Sequence, residues 1–230
     1  TTLMPGRHLN LPRGNGASTI KEFSVVISSC RRQQDWSGVL RVLGEMRGLE
    51  LQPSTIAYNM ALGGGRRRGD WEAASGLLAA VSLGGLSATA ITYNSAISTS
   101  ERNGKWEWAC ELLQRMRHAE LPADVVTCNS LVSSCGRGGE WRHSVRFMEN
   151  WFLDSIRCDA VTFNSAAAAC GIGEQWALAL LLLPNLRVRA LELDVIGCSA
   201  AISACGGVMQ WRNSMDLLDW LPAHSVRPDR

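Results

Sequence analysis

Apolar residues along this chain recur at helical spacing, in two short segments that alternate with polar turns. In one stretch, the apolar positions are Tyr93, Ala96 and Ile97, followed by Trp106, Ala109, Leu113 and Met116. Spacings of three and four residues place each set on one face of a helix. The polar turn between them contains Gly104, and glycine tolerates the positive φ that often ends a helix. The pattern predicts a helix-turn-helix unit.

This unit repeats with a period of 35 residues. Tryptophan recurs at this period as Trp36, Trp71, Trp106, Trp141, Trp176 and Trp211. An aromatic or cysteine series follows as Phe23, Tyr58, Tyr93, Cys128, Phe163 and Cys198. A series of small residues consists of Cys30, Gly65, Ser100, Cys135, Cys170 and Cys205. The predicted repeats span 20–54, 55–89, 90–124, 125–159, 160–194 and 195–229, after an N-terminal extension at 1–19 that is either a transit-peptide remnant or the tail of a preceding repeat.

A single hairpin of this size cannot bury the apolar faces of both helices, so neighbouring hairpins must stack and share a core. We therefore expect an all-α fold, a right-handed superhelical solenoid of about six 35-residue repeats. Each tryptophan should open the second helix of its repeat and pack against a first helix. The small-residue series should lie in the core. Its thiols would stand roughly 8 to 10 Å apart in successive repeats, too far to share a zinc ion.

Composition limits the classes of protein that the chain can represent. Hydrophobic residues make up 46% of the sequence, enough for a sizeable core, and the net charge is only +2. The charge-free apolar run at 176–183 is far shorter than the roughly 20 residues that span a bilayer, so no membrane segment is expected. Eight cysteines without a signal peptide indicate a reducing compartment with no disulfides. Residues 1–21 lack acids but carry basic residues, as organellar transit segments do.

The opening and closing segments of the repeat resemble those of a known family. Residues 91–97, Ile-Thr-Tyr-Asn-Ser-Ala-Ile, are similar to the Val-Thr-Tyr-Asn-Thr-Leu-Ile opening of pentatricopeptide repeats. Residues 112–117 and the Arg-Pro-Asp at 227–229 resemble the closing segments of that repeat. The tetratricopeptide pattern does not fit. The chain is therefore identified as a pentatricopeptide repeat protein with a simple array of equal-length repeats.

The resemblance implies single-stranded RNA as the partner, with about one base bound per repeat. In this family, the fifth residue of the first helix and the last residue of the repeat select the base. The corresponding pairs are Ser24 with Ser54, Asn59 with Thr89, Asn94 with Asp124, Asn129 with Asp159, Asn164 with Asp194, and Ser199 with Asp229. An Asn amide offers a donor and an acceptor that match uracil, and a carboxylate can orient that amide. The family's code gives U-U-U-G for repeats three to six and leaves the first two bases undetermined, with a pyrimidine expected at the second.

Two further series complete the expected site. The second place of each repeat, which in this family lies between successive bases, holds Ile56, Ile91, Val126, Val161 and Ile196, whereas Lys21 departs from the aliphatic pattern. Arginines recur at Arg32, Arg67, Arg102 and Arg137, where a row of cations could follow a phosphate backbone. The alternative is that these cations only stabilise helix C-termini.

Other functions receive less support from the sequence. The four histidines share no repeat position, and no nucleotide-binding or hydrolase motif is present, so we expect neither an enzyme, nor a cofactor, nor a metal, nor a small-molecule substrate. A scaffold that binds proteins through the solenoid surface is the alternative function, and protein partners are compatible with RNA binding. The resemblance implies a mitochondrial or chloroplast location and a role in organellar RNA processing. Because solenoid ends need a polar cap, we expect the array to continue beyond the sixth repeat.

Overall fold

The computed structural model describes residues 17–33, 35–65, 70–153, 158–188 and 195–207. All regular secondary structure in these residues is helical. The first helices of the repeats are α1 (Ala17–Arg32), α3 (Thr55–Gly65), α5 (Ala90–Ser100), α7 (Val125–Arg137), α9 (Ala160–Ile172) and α11 (Val195–Gly207). The second helices are α2 (Trp36–Gly48), α4 (Trp71–Leu83), α6 (Trp106–His118), α8 (Trp141–Leu153) and α10 (Trp176–Val188). A 3₁₀ turn, Glu101–Asn103, follows α5.

The described second helices all begin at a tryptophan, as the sequence predicts. The residue before the tryptophan caps two of them. The Asp35 carboxylate accepts a hydrogen bond from the Gly38 amide at 2.9 Å, and Asp70 accepts one from the Ala73 amide at 3.3 Å. These bonds satisfy N–H groups that have no partner within the helix. The second helix predicted after Trp211 lies outside the described residues.

The chain divides into two compact units, with the boundary between Thr99 and Ser100 at the end of α5. In the first unit, α1 packs against α2 and α3, and α3 packs against α2 and α4. The core of this unit contains Phe23, Ile27, Tyr58 and Leu62, each no more than 2% exposed. α1 begins at Ala17, within the predicted extension at 1–19.

The second unit shows the stacking of neighbouring repeats most completely. The first helices α7, α9 and α11 form consecutive contacts, and α6, α8 and α10 each pack against the first helix of the following repeat. Leu131, Phe163 and Ala201 are buried between these layers. Within each unit, the predicted sharing of a core between neighbouring hairpins is therefore confirmed.

The small-residue series lies in the core, as predicted. Cys30 is 2% exposed, and Ser100, Cys135, Cys170 and Cys205 are fully buried. Gly65, the remaining member of the series, is buried as well. Burial raises the pKa of the Cys170 thiol to about 11, so this thiol is neutral at physiological pH.

Four of the tryptophans that open second helices are half-buried, namely Trp71, Trp106, Trp141 and Trp176. Trp106 and Trp141 lie under the turn of the next repeat. A Cβ atom added to Gly138 would lie 2.6 Å from Cδ1 of Trp106, and one added to Gly173 would overlap the Trp141 indole. Gly138 and Gly173 are the C-cap residues of α7 and α9. The predicted packing of each tryptophan against a first helix is thus confirmed at these two repeats. The helix is that of the next repeat, and the contact requires glycine at the helix end.

Left-handed backbone conformations end helices of both kinds. Gly104 and Gly139, which follow first helices, have φ of 59° and 80°, in agreement with the predicted glycine turns. Glu50 and Glu120, after second helices, have φ of 58° and 54° at the repeat position that Gly85 occupies with φ of 66°. Glutamate in this conformation is not predicted by the repeat pattern, because the conformation disfavours residues with a Cβ.

No helix among the described residues has the length and hydropathy needed to cross a membrane.

Candidate nucleic-acid interface

The fifth residues of the predicted repeats lie inside the first helices, one turn after the helix start. Asn94 is the fifth residue of α5, and Asn129 and Asn164 occupy the same place in α7 and α9. Asn94 and Asn164 are each only 9% exposed. Asn59 and Asn129 are partly exposed, and Ser199 is exposed. The amides of Asn94 and Asn164 are therefore nearly buried, whereas that of Asn129 remains partly accessible.

The last residue of each described repeat caps the first helix of the next one. The carboxylates of Asp124 and Asp159 accept hydrogen bonds from the amides of Thr127 and Thr162, each at 3.0 Å. The Ser54 hydroxyl accepts a bond from the Ala57 amide at 3.3 Å. Thr89 plays the same part for α5, where its Oγ1 accepts from the Thr92 amide at 3.4 Å.

This capping function was missed in the sequence analysis. A Ser, Thr or Asp directly before a helical segment, with a second hydrogen-bonding side chain three residues later, is the sequence pattern that could have revealed it. Asp194 and Asp229, the last residues of repeats five and six, lie outside the described residues.

Repeat four brings the two members of a predicted pair into contact. Nδ2 of Asn129 donates a hydrogen bond to Oδ2 of Asp159 at 3.2 Å. On the other side of the amide, the Thr162 hydroxyl donates to Oδ1 of Asn129. An asparagine amide has two N–H groups and two acceptor lone pairs. These contacts use one N–H group and one lone pair of the Asn129 amide, and they fix which end of the amide is the donor.

The other pairs differ from repeat four. The Ser24 hydroxyl donates to the Ile20 carbonyl in its own helix at 2.9 Å, while Ser54 caps α3. Asn59 has a buried Oδ1 atom with no hydrogen-bond partner among the described residues. Asn94 and Asp124 belong to different compact units.

An open groove between α7 and α9 brings together one residue from each predicted series. Arg137, Val161 and Asn164 all line it. Its floor includes Gly136 and Ala169, and a Cβ atom added to Gly136 would lie 2.8 Å from the Ala169 Cβ. The small residues let the two helices approach closely, so Asn164 lies low in the groove with the guanidinium and the aliphatic side chain beside it.

The aliphatic side chains at the second place of the repeats are exposed. Ile56 is 70% exposed, Ile91 66%, Val126 49% and Val161 55%. Within each unit, aliphatic groups that remain in water at this repeat position form apolar surface that a ligand could cover. Lys21 is exposed as well. The side chain of Ile196 lies outside the described residues.

Three of the four predicted arginines are described, and all three are exposed at the ends of first helices. Arg32 and Arg137 are the last residues of α1 and α7, and Arg102 lies in the 3₁₀ turn after α5. A cation at a helix C-terminus is favoured by the helix dipole. Their position is therefore compatible both with phosphate binding and with a purely structural function. Arg67 lies outside the described residues.

A pair of buried thiols adjoins the Asn129 and Asp159 pair. Sγ of Cys128 and Sγ of Cys158 are 3.7 Å apart, and both side chains are buried. The hydrogen bond with Cys158, together with burial, raises the pKa of Cys128 far above its usual value. The Cys128 thiol is therefore neutral at physiological pH.

Comparison with protein families identifies the repeat. The family model described as PPR repeat matches residues 91–121 and 126–151, which correspond to repeats three and four. The chain contains pentatricopeptide repeats. The pentatricopeptide assignment made from residues 91–97 is thereby confirmed. No curated protein sequence matches the chain.

Solved structures show the same fold. The pentatricopeptide repeat protein PPR10 in complex with an 18-nt psaJ RNA element is 22% identical with a TM-score of 0.72, over 88% of this chain and 29% of that one. PPR10 from maize is 20% identical with a TM-score of 0.69, over 90% of this chain and 30% of that one.

A second protein of known structure has the same fold. The PPR domain of Arabidopsis thaliana protein-only RNase P 1, in complex with tRNA, is 11% identical with a TM-score of 0.67, over 84% of this chain and 98% of that one. The chain spans about three tenths of the length of PPR10. At these identities the likeness concerns the fold, and the predicted all-α stack of helical hairpins is confirmed.

Proposed function

We propose that this chain binds single-stranded RNA without catalysing a reaction, through the side of each unit that its first helices form, with about one base per repeat. The groove between α7 and α9 carries the proposal. The groove is lined by the amide of Asn164 at the proposed base-selecting position, by the exposed aliphatic side chain of Val161 and by the cation of Arg137. An amide can hydrogen-bond to the edge of an unstacked base, an aliphatic group can pack on its face, and a cation can bind the phosphate.

The geometry at repeat four supports uracil as its base. Asp159 and Thr162 leave Asn129 one N–H to donate and one lone pair on Oδ1 to accept. Uracil presents a donor at N3 and an acceptor on the adjacent carbonyl. The remaining groups of the amide therefore complement uracil, and the same pairing of residues in repeats three and five extends the proposed sequence to U-U-U. Ser199 with Asp229 adds G at repeat six.

The wider role follows from the family. The solved structures with this fold include PPR10 bound to an 18-nt RNA element and a PPR domain bound to tRNA. By analogy, we place the chain in RNA processing in a mitochondrion or chloroplast. Neither an enzymatic activity nor a cofactor is part of the proposal.

Titration with labelled oligonucleotides tests this function. Fluorescence anisotropy should show binding to a single strand that contains U-U-U-G, weaker binding when the three uracils are replaced by adenine, and little binding to the same sequence in a duplex. Affinity should fall as salt is raised, because phosphate contacts release counterions. Absence of binding to any single strand at low salt would reject RNA binding and favour a protein-binding scaffold.

A further inference from the structure

The threonine at the third place of a first helix connects to both members of a base-selecting pair. In α9, Oγ1 of Thr162 lies 3.2 Å from Oδ1 of Asp159 and also donates to Oδ1 of Asn129. The Thr162 side chain is fully buried. Thr162 belongs to the repeat that follows Asn129, so its hydroxyl links the two repeats at the point where the base would bind.

The orientation of the Asn129 amide decides which pyrimidine it can pair with. With Oδ1 toward N3 of the base, the amide accepts the N3–H of uracil and donates to the neighbouring carbonyl. Turned by 180°, the same amide would donate to N3 of cytosine and accept from its amino group. Whatever fixes the amide therefore sets discrimination between uracil and cytosine.

Two contacts hold the uracil-compatible orientation. Asp159 accepts from Nδ2 and Thr162 donates to Oδ1. A turned amide would place Oδ1 against the carboxylate and Nδ2 against the hydroxyl. The threonine hydroxyl would have to give up its donation to Oδ1 and turn its proton toward Asp159, and Oδ1 would face a carboxylate that has no proton to donate.

The same threonine recurs in some repeats and not in others. Thr92, Thr127 and Thr162 are all fully buried. Oγ1 of Thr127 donates to Asp124 at 3.0 Å, and Oγ1 of Thr92 lies 3.1 Å from Oγ1 of Thr89. The pair Asn164 and Asp194 is instead followed by Gly197, which has no hydroxyl. Repeats four and five thus carry the same Asn and Asp with a different third residue.

We propose that the residue at the third place of the following repeat is a specificity-determining position, where threonine makes an Asn and Asp pair select uracil over cytosine more strictly. The proposal rests on the proposed RNA-binding function and on the contacts of Thr162. It assigns strict selection of uracil to repeat four and weaker selection to repeat five.

The test uses the full chain and four oligonucleotides, with uracil or cytosine at the nucleotide of repeat four or of repeat five. Thr162→Val keeps the shape of the side chain and removes the hydroxyl. It should lower the uracil-to-cytosine affinity ratio at the repeat-four nucleotide by about fivefold, the effect of a typical hydrogen bond. The ratio at the repeat-five nucleotide should not change. Thr162→Ser, which retains the hydroxyl, should restore the ratio.

A gain-of-function variant keeps the proposal testable if Thr162→Val does not fold. Gly197→Thr should raise the uracil-to-cytosine affinity ratio at the repeat-five nucleotide, and an unchanged ratio in this variant would overturn the proposal. An equal loss of affinity for both bases, with a lower melting temperature, would show a structural function only and overturn the proposal. An unchanged ratio in a Thr162→Val protein that prefers uracil would also overturn it. Failure of the unmodified chain to bind any RNA would instead reject the proposed function itself.

Discussion

Asn129 combines an unfavourable local conformation with specific contacts from the next repeat. Asparagine is a poor helix former because its amide competes with backbone hydrogen bonds. In α7 its amide is instead held by the side chains of Asp159 and Thr162. These contacts fix an amide inside a helix with one donor and one acceptor left over, which is what a base-selecting side chain requires.

Asn129→Ser should change the base preferred by repeat four from uracil to guanine, because serine with a retained Asp159 reproduces the pair Ser199 and Asp229. The shift in relative binding free energy should be about 1 to 3 kcal/mol. Competition binding against oligonucleotides that vary at one nucleotide measures it. Asn150→Ser, at an exposed position in α8, is the control and should leave the preference unchanged. A panel in which both variants behave alike would contradict the assignment of Asn129.

Asp159 makes two kinds of contact, since it caps α9 and accepts a hydrogen bond from Asn129. Asp159→Ala should lower the free energy of unfolding by about 1 kcal/mol through loss of the cap. Asp70→Ala removes an equivalent cap from α4 and should cost about the same. Urea unfolding measures both losses. Only Asp159→Ala should weaken the preference for uracil, and an equal effect of Asp70→Ala on base preference would show that stability alone is responsible.

The half-buried thiol of Cys110 and the buried thiol of Cys170 should differ in reactivity. A hydrogen bond from Cys135 lowers the pKa of Cys110, whereas burial raises that of Cys170 to about 11. Because the thiolate is the reactive form, iodoacetamide at pH 7.5 should modify Cys110 before Cys170 in the folded protein. The rate at Cys170 should rise with pH up to about 11. Peptide mass spectrometry measures both rates. Similar modification rates for the two cysteines in the folded chain would contradict the prediction. In the unfolded chain, which is the control, the two rates should be similar.

At the scale of the helices, the sequence predicts where second helices begin because one bulky residue, tryptophan, marks each start. It does not predict the helix ends equally well. Glutamates at 50 and 120 adopt the left-handed conformation that Gly85 has at the same repeat position, since the connections after the first three repeats follow one backbone path. The repeat pattern also does not distinguish a helix cap such as Asp159 from a proposed base-selecting residue, because aspartate suits both.

Glycine at the end of a first helix should be required wherever a tryptophan lies beneath it. Gly173→Ala would place a methyl group on the Trp141 indole, and we expect a loss of about 1 to 3 kcal/mol in unfolding free energy. Gly76, within α4, has no other atom within 4 Å of an added Cβ. Gly76→Ala should therefore stabilise the protein by up to about 1 kcal/mol through helix propensity. Thermal and urea unfolding measure the two changes, and the prediction is wrong if both have the same sign.

For the molecule as a whole, periodicity predicts which residues share a position but not how deeply that position lies. The aliphatic residues at the second place are as exposed as the site requires, with Ile56 at 70%. Asn164 is only 9% exposed, because Gly136 and Ala169 let α7 and α9 approach closely. Depth depends on small residues at other positions of two different helices, so a repeat pattern considered one position at a time cannot reveal it.

The exposed arginines provide a test of how RNA would follow the array. Arg102 and Arg137 are one repeat apart at the ends of first helices in the second unit. If each contacts a phosphate, replacing both with glutamine should reduce the slope of log affinity against log salt by about 1.4, since each phosphate contact on a single strand contributes about 0.7. Binding measured from 50 to 200 mM salt gives the slope.

Arg115 and Arg117, both exposed on α6, are the matched pair for this experiment because they belong to a second helix. Their replacement with glutamine removes the same charge from the chain and should leave the slope nearly unchanged. If the arginines at 102 and 137 only stabilise helix ends, their replacement should lower the melting temperature without altering the slope. If only the replacement of Arg102 and Arg137 reduces the slope, these two arginines contact phosphates. Neither the loss of charge nor a loss of helix stability would then explain the result.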